Sequence, residues 1–134
     1  MTKATCCCGA LSIEVEGDPI RYGVCHCENC RKRTGSAFGV STYFQASQVK
    51  RTEGKSAIYE FECKQPEEGS QQRYFCSECG TTLYWQYSDT TNEIGIAGGC
   101  FDLDYYGAPW YSISEESKAQ WITITLREPV EPTE

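Results

Sequence analysis

Alternation of apolar and polar residues along the chain predicts a mostly β fold. In ALSIEVEG, the apolar residues Leu11, Ile13 and Val15 share one face of a strand, and polar residues stand between them. Further segments rich in β-branched and aromatic residues, bounded by turn formers, are GVSTYFQ, SAIYEFEC, TTLYWQY, EIGIAGGC and QWITITL. No segment of helical length carries an apolar stripe, and only a short helical turn is expected around SEESK.

The length of 134 residues suits one small domain. We find no repeat or linker that divides the chain, so residues 1–134 are predicted to form a single zinc-binding domain. Its core is expected to span about residues 4–126, followed by a frayed tail ending in EPVEPTE. No apolar run approaches the ~18 residues of a membrane span, and MTKATCCCGA has no apolar stretch of the length of a secretory signal. A cytoplasmic protein without a membrane partner is therefore expected.

The charge of the chain argues against a general nucleic-acid binder. Twelve Lys and Arg stand against nineteen Asp and Glu, a formal net charge of −7, whereas phosphate binding needs a basic face. One local basic run exists at Arg31, Lys32 and Arg33. It is either a site for an anionic ligand or an ordinary solvated surface.

The ten cysteines carry the strongest chemical signal. Several stand two or three residues apart, which is too close for comfortable disulfides but is the usual spacing of zinc ligands. A cytoplasm that keeps thiols reduced favours the same interpretation. The close groups are Cys6 with Cys8, Cys25 with Cys27 and Cys30, and Cys76 with Cys79. The remaining Cys7, Cys63 and Cys100 are expected to be small core residues or ordinary thiols.

Strand geometry explains how the close pairs could bind one metal. Residues i and i+2 of a strand point the same way, so Cys6 can act with Cys8 while Cys7 faces away. The same rule pairs Cys25 with Cys27 and turns His26 to the other side, and Cys30 follows after a tight turn at residues 28–29. Gly80, directly after CSEC, suits the left-handed turn of a metal-binding knuckle.

Seven ligands do not fill two tetrahedral sites, so we predict one site of four cysteines and one of three, with two zinc ions. A closed set of four thiolates is structural, whereas three protein ligands leave a position for water or substrate. The local trio Cys25, Cys27 and Cys30 is assigned to the open site, and Cys6, Cys8, Cys76 and Cys79 to the closed one. Another residue could instead complete the trio. The only histidine, His26, is an eighth ligand, a group that supports a ligand or faces the substrate, or a packed side chain. An iron–sulfur cluster is less favoured, because the CxC pairs suit a single metal.

At CHCENCRKRTGSAFG the chain resembles the glutathione-dependent formaldehyde-activating enzyme family, which also includes centromere protein V. The resemblance extends to CxCGA at residues 6–10, RYFCSECGTTL at 73–83 and AGGCFD at 97–102, and covers about Cys6 to Trp121. It implies an Mss4-like β-tent, a structural four-cysteine zinc and a catalytic three-cysteine zinc. Many relatives carry a histidine roughly where this chain has Ser112.

The resemblance further implies a carbon–sulfur lyase acting on an S-hydroxymethyl adduct of a small thiol, with glutathione as one candidate. Cys25, Cys27 and Cys30 would hold the catalytic zinc, whose open position takes the thiol as thiolate. Predicted anchors for an anionic thiol are Arg31, Lys32, Arg33 and Arg73. The segment 34–38, including Ser36 and Phe38, is predicted to line the pocket floor, and the alternative is a purely structural loop. A homo-oligomer is a further expectation. The alternative is a non-catalytic, zinc-dependent module that binds thiols or other proteins.

Overall fold

The computed structural model describes residues 1–63, 69–102 and 106–129, which contain ten strands and one α-helix. The first half of the chain forms β1 (Thr2–Thr5), β2 (Ser12–Val15), β3 (Arg21–Cys25), α1 (Glu28–Thr34), β4 (Gly39–Gln45) and β5 (Val49–Glu53). The second half forms β6 (Ser56–Glu62), β7 (Ser70–Cys76), β8 (Thr82–Tyr87), β9 (Thr90–Ala97) and β10 (Tyr111–Ile113). The predicted mostly β class is confirmed.

The strands form two sheets. A three-stranded antiparallel sheet has the order β1-β2-β5, and a seven-stranded sheet has the order β10-β3-β4-β9-β8-β7-β6. In the larger sheet β10 runs parallel to β3, and the other neighbours are antiparallel. The chain therefore brings β3, which leads into α1, beside the late strand β10.

One hydrophobic core joins the two sheets. Leu11, Ile13 and Val15 are buried, as the alternating pattern predicts, and pack in the same cluster as Phe44 and Ile96 of the larger sheet. Cys6 and Cys76 belong to this cluster as well. Burial of apolar area stabilises this junction of the two sheets. A metal bound by these cysteines would add a second link between the sheets at the same place.

Five of the segments predicted as strands become β2, β4, β6, β8 and β9, but QWITITL forms no strand. The amide of Ile122 donates to Ala119 O at 3.1 Å in a turn, and Trp121 is 80% exposed. β10 and β6 form the two edges of the larger sheet, and residues 121–127 pair with neither. A β-rich composition does not by itself bring a segment alongside an edge strand.

Helix α1 was not predicted, and the reason is its length and exposure. It has seven residues, none of them buried, so it has no apolar stripe. Its ends explain its formation: Sγ of Cys27 accepts from the Cys30 amide at the start, and Gly35 ends it with φ of 64°. The short turn expected around SEESK is confirmed as a 3-10 turn at Glu115–Ser117.

Within the described residues, no helix has the length and apolar character that crossing a bilayer requires. The tail beyond residue 129 lies outside the described residues, so its predicted fraying stays a prediction.

Candidate metal centres

The first centre consists of Cys6, Cys8, Cys76 and Cys79, whose Sγ atoms all lie within 4.8 Å of one another. Two of the separations, Cys6 to Cys8 and Cys8 to Cys76, are 3.7 Å. Four sulfurs placed tetrahedrally at a Zn–S distance of about 2.3 Å would be about 3.8 Å apart. The cluster therefore has the donor set and the size of a closed four-thiolate zinc site.

The N-terminal half of this centre is a turn rather than a strand. β1 ends at Thr5, and the Gly9 amide donates to Cys6 O at 3.0 Å, with Gly9 at φ of 82°. The prediction that strand alternation aligns Cys6 with Cys8 is therefore wrong in mechanism, although the two sulfurs do meet. The left-handed glycine ends a tight loop that reverses the chain.

The second half repeats the same geometry. The Gly80 amide donates to Cys76 O at 2.9 Å, and Gly80 has φ of 83° as the sequence predicts. Backbone amides also reach the buried sulfurs, from Leu11 to Cys6 Sγ at 3.2 Å and from Glu78 to Cys76 Sγ at 3.3 Å. Such amides stabilise negative charge on sulfur, so each knuckle holds one buried sulfur in a setting that suits a metal-bound thiolate.

Thr81 supports the exposed side of this centre. Its hydroxyl lies 3.2 Å from Cys79 Sγ and accepts from the Cys7 amide at 3.1 Å. The pKa of Cys79 is lowered to about 5, first by the hydrogen bond with the Thr81 side chain and then by backbone amides. The same residue thus joins the two knuckles and favours a thiolate at one of them.

The second centre consists of Cys25, Cys27 and Cys30, whose three half-buried sulfurs also lie within 4.8 Å of one another. Cys25 ends β3, Cys27 caps α1, and Cys30 lies in the first turn of α1. The turn predicted at residues 28–29 is therefore the beginning of a helix. Its geometry still delivers Cys30 to the other two cysteines.

Hydrogen bonding between Cys25 and Cys30 shifts the pKa values of these two thiols in opposite directions. A hydrogen bond from Cys30, with smaller contributions from Cys27, lowers the pKa of Cys25 to about 5 against the opposing effect of burial. The same contact and burial raise the pKa of Cys30. Cys25 therefore ionises more readily and Cys30 less readily than a free thiol, and a bound cation would favour the thiolate of both.

Ser114 is an unusual residue beside this trio. It follows β10 with φ of 58°, and it is the non-glycine residue with positive φ in the described part of the chain. That conformation costs roughly 1 kcal/mol or more. Its Oγ lies 3.8 Å from Cys25 Sγ, so the strained turn brings a hydroxyl to the cysteine.

A cavity of about 440 Å³ opens at the trio and includes all three of its cysteines in its wall. The volume lies in the range of small-molecule sites. The other lining residues are Gly23, Val24, Glu28, Asn29, Lys32, Ser41, Tyr43, Phe61, Glu62, Cys63, Tyr87, Tyr111 and Ile113. This wall is mostly apolar and aromatic, with a few polar groups, as expected for a small-ligand site.

Three tyrosines, Tyr43, Tyr87 and Tyr111, supply most of the hydroxyl groups in this wall. Burial raises the pKa of Tyr111 to about 12 and raises that of Tyr87 as well. Both phenols therefore keep their protons at neutral pH and can donate hydrogen bonds. Sequence reasoning missed them, because aromatic residues on separate strands give no local signal of a shared cavity.

Of the four predicted cationic anchors, Lys32 lies in the cavity wall, where its ammonium pairs with Glu28 at 2.8 Å. Arg31 Nε instead donates to the carbonyl of His26 at 3.2 Å. Arg33 stacks on Trp85, and Arg73 binds Asn29. Arg31, Arg33 and Arg73 are absent from the cavity lining.

The segment 34–38 does not lie where the sequence analysis predicted. None of its residues, including Ser36 and Phe38, belongs to the cavity wall. α1 ends at Gly35 and the chain then turns away, so that Phe38 packs against His26 with ring centroids 5.8 Å apart. Phe38 thus supports the loop from behind.

His26 is fully buried and belongs to neither cysteine cluster. Its Nε2 lies 2.9 Å from the hydroxyl of Ser112 on β10, and its amide donates to Ile113 O at 3.2 Å. Among the three hypotheses for this residue, the structure favours a packed side chain that fixes the cysteine loop against β10.

The three remaining cysteines differ in position. Cys7 is exposed, Cys100 packs against the core, and Cys63 lies in the wall of the cavity. Cys63 was predicted to be an ordinary thiol. Its place near the trio became visible only in the fold.

Comparison with known proteins agrees with this geometry. Residues 1–117 match the family model described as glutathione-dependent formaldehyde-activating enzyme. A Schizosaccharomyces pombe protein named an uncharacterized lyase is 32% identical over 101 residues, which cover 74% of this chain and 67% of the relative. The crystal structure of a Rhodobacter sphaeroides protein superposes with a TM-score of 0.57 at 26% identity, covering 75% of this chain and 87% of the other. The Mss4-like, mostly β fold implied by the sequence resemblance is confirmed. The chain therefore belongs to the glutathione-dependent formaldehyde-activating enzyme family.

Proposed function

We propose that the protein is a zinc-dependent carbon–sulfur lyase that acts on an S-hydroxymethyl-type adduct of a small thiol, and that it binds two zinc ions. The observation that carries the proposal is the trio in the cavity wall. Three sulfurs converge there, and among the described residues no fourth Cys, His, Asp or Glu joins them. Three protein ligands on a cavity are the arrangement of catalytic rather than structural zinc.

The donor set fits zinc and suits thiol chemistry. Thiolates are preferred ligands of zinc, and the bound ion would supply a position at which a substrate thiol loses its proton. The family match and the lyase name of the yeast relative support the same reaction class.

In the direction of cleavage, the proposed reaction breaks the carbon–sulfur bond of R–S–CH2–OH. The hydroxyl proton passes to solvent water, the carbon–oxygen double bond of formaldehyde forms as the carbon–sulfur bond breaks, and the electron pair of that bond stays on sulfur, which leaves as a thiolate. Tyr87 and Tyr111 line the cavity and keep their phenolic protons, and in the proposed reaction they would hold the oxygen that becomes the carbonyl oxygen. The aromatic wall limits water around the adduct, which strengthens these interactions.

The substrate class is a small thiol. The cavity volume of about 440 Å³ suits a small molecule, and glutathione is one candidate. Within the described wall the charged side chains are Glu28, Lys32 and Glu62. Lys32 is the cation available there for a carboxylate of the thiol, in exchange for its partner Glu28. A cytoplasmic location and a homo-oligomer stay predictions.

The test is exchange of labelled formaldehyde with its thiol adduct at equilibrium, because thiols and formaldehyde also combine without an enzyme. Zinc-replete protein is expected to accelerate exchange over buffer with glutathione or with a second small thiol. Cys7→Ser, which alters an exposed thiol outside both clusters, should exchange as fast as the wild type. No acceleration with either thiol would contradict the lyase function and would favour a thiol-binding or protein-interaction module.

A further inference from the structure

We infer that Arg33 and Arg73 are positioning residues that form a paired cation behind the trio and favour an anionic fourth ligand at its metal. The inference rests on the proposed function and deepens it. It assigns these arginines to the charge of the metal centre rather than to the carboxylates of a substrate.

Arg33 lies near the trio but does not line the cavity. Its guanidinium stacks on buried Trp85, 4.4 Å from the ring centroid, and its Nη2 is buried without a hydrogen-bond partner among the described residues. A Cβ on Gly39 would stand 2.7 Å from that Nη2 and 3.2 Å from the Cβ of Cys30. The guanidinium and Cys30 thus meet at one glycine, and Gly39 pairs with Cys25 across the β3–β4 ladder.

Arg73 reaches the same region from β7. It is 7% exposed, its Nε donates to Gln71 Oε1 at 2.8 Å, and its Nη2 donates to Asn29 Oδ1 at 3.0 Å. Asn29 stands between Cys27 and Cys30 in α1 and in the cavity wall. Burial, and then the positive charge of Arg33, lower the pKa of Arg73. Arg33 beside Cys30 and Arg73 on the neighbouring Asn29 thus bring two like charges to the same turn of α1.

Among the described residues, neither cation pairs with an anionic side chain. In residues 1–63, 69–102 and 106–129 no carboxylate lies within 4.0 Å of either guanidinium, whereas Arg21 binds Glu93 at 2.7 Å. Burying two unpaired like charges is costly unless negative charge lies nearby. Arg33 and Cys30 meet at Gly39, and Arg73 binds Asn29, which directly precedes Cys30 in α1. Metal-bound thiolates of the trio would therefore supply the counter-charge.

The charges match a specific state of the centre. A divalent cation with three thiolates carries one negative charge, and a thiolate as fourth ligand raises it to two. The two positive charges of Arg33 and Arg73 balance the centre that has a thiolate as fourth ligand. With a neutral fourth ligand, the single negative charge of the centre balances only one of the two arginines. The arrangement should therefore raise the affinity for a thiolate more than the affinity for a neutral donor.

The test compares an anionic with a neutral ligand in cobalt-loaded full-length protein at one fixed pH. 2-Mercaptoethanol and imidazole are titrated separately, and sulfur-to-cobalt charge transfer and the ligand-field bands report binding. Arg33→Met and Arg73→Met are each expected to lower the thiol affinity about tenfold and to leave the imidazole affinity unchanged. Arg51→Met, which removes a surface cation paired with Glu53, is the matched control and should behave as wild type. Cys30→Ser, which lacks one ligand of the trio, gives the cobalt absorption of the four-cysteine site alone.

Rescue by charge separates this role from packing. Arg33→Lys and Arg73→Lys should restore most of the preference for thiol over imidazole. Equal loss of both affinities in the methionine variants, or no loss of either, would overturn the inference and leave the proposed function standing. If one methionine variant fails to fold, the same comparison of thiol and imidazole affinities is made with the other methionine variant and the two lysine variants. Absence of any thiol-induced change in wild type would contradict the proposed thiolate-binding site and the inference together.

Discussion

Replacing Cys76 with serine is expected to abolish cooperative folding of the domain. Cys76 is 1% exposed and lies in the core that joins the two sheets, together with Cys6 of the other knuckle. Structural zinc binding is worth roughly 10–16 kcal/mol in small domains, which equals or exceeds the ~5–15 kcal/mol stability of a typical protein. Urea unfolding followed by circular dichroism should show no sigmoidal transition, and metal analysis should show loss of the closed site.

Two variants give this result its meaning. Cys7 lies in the turn that carries Cys6 and Cys8 but is outside the cluster. Cys7→Ser should therefore unfold like wild type. Cys30→Ser should keep a cooperative transition and about one zinc per chain, because the trio lies on a cavity outside the core cluster. If Cys30→Ser unfolds the chain as severely as Cys76→Ser, the trio is structural and the proposed catalytic site is wrong.

Cys27→Ser is expected to lower the rate of formaldehyde exchange on the order of 10²–10³-fold, the range that loss of one electrostatic stabilising group costs an enzyme. Cys27 both contributes a sulfur to the trio and caps α1, which delivers Cys30. Its loss therefore disturbs two ligands at once. The measurement is the exchange rate above buffer at saturating zinc, with zinc content determined on the same sample.

Cys63→Ser is the matched control for that loss. Cys63 lies in the same cavity wall but is not a member of the trio. Serine at this position should leave the exchange rate within a small factor of wild type. An equally large loss in Cys63→Ser would show that a fourth cavity thiol takes part in the reaction.

The cysteine clusters were predictable from sequence because metal ligands in small domains come in close pairs. The spacing separated the seven clustered cysteines from Cys7, Cys63 and Cys100, and the geometry brings the same seven into two groups. The local backbone was harder to predict. Cys6 with Cys8 looked like strand alternation but lies in a glycine turn, since a period of two and a tight knuckle place the two sulfurs alike.

The cavity was not predictable in the same way, because long-range pairing builds it. Tyr43, Tyr87 and Tyr111 come from three strands, and their shared wall exists only once the seven-stranded sheet has formed. The basic run at residues 31–33 shows the same dependence on the fold. Three consecutive cations looked alike in sequence, yet α1 directs Lys32 to the cavity wall and Arg33 to the ring of Trp85.

The most direct measurement is a crystal structure of the zinc-replete protein soaked with a small thiol, with the ligands of each zinc identified. The account predicts two zinc ions. One is bound by Cys6, Cys8, Cys76 and Cys79, and the other by Cys25, Cys27, Cys30 and the sulfur of the added thiol, with Zn–S distances of about 2.3 Å. A second zinc closed by a fourth protein side chain such as Cys63 or His26, or a trio without metal in replete crystals, would contradict it.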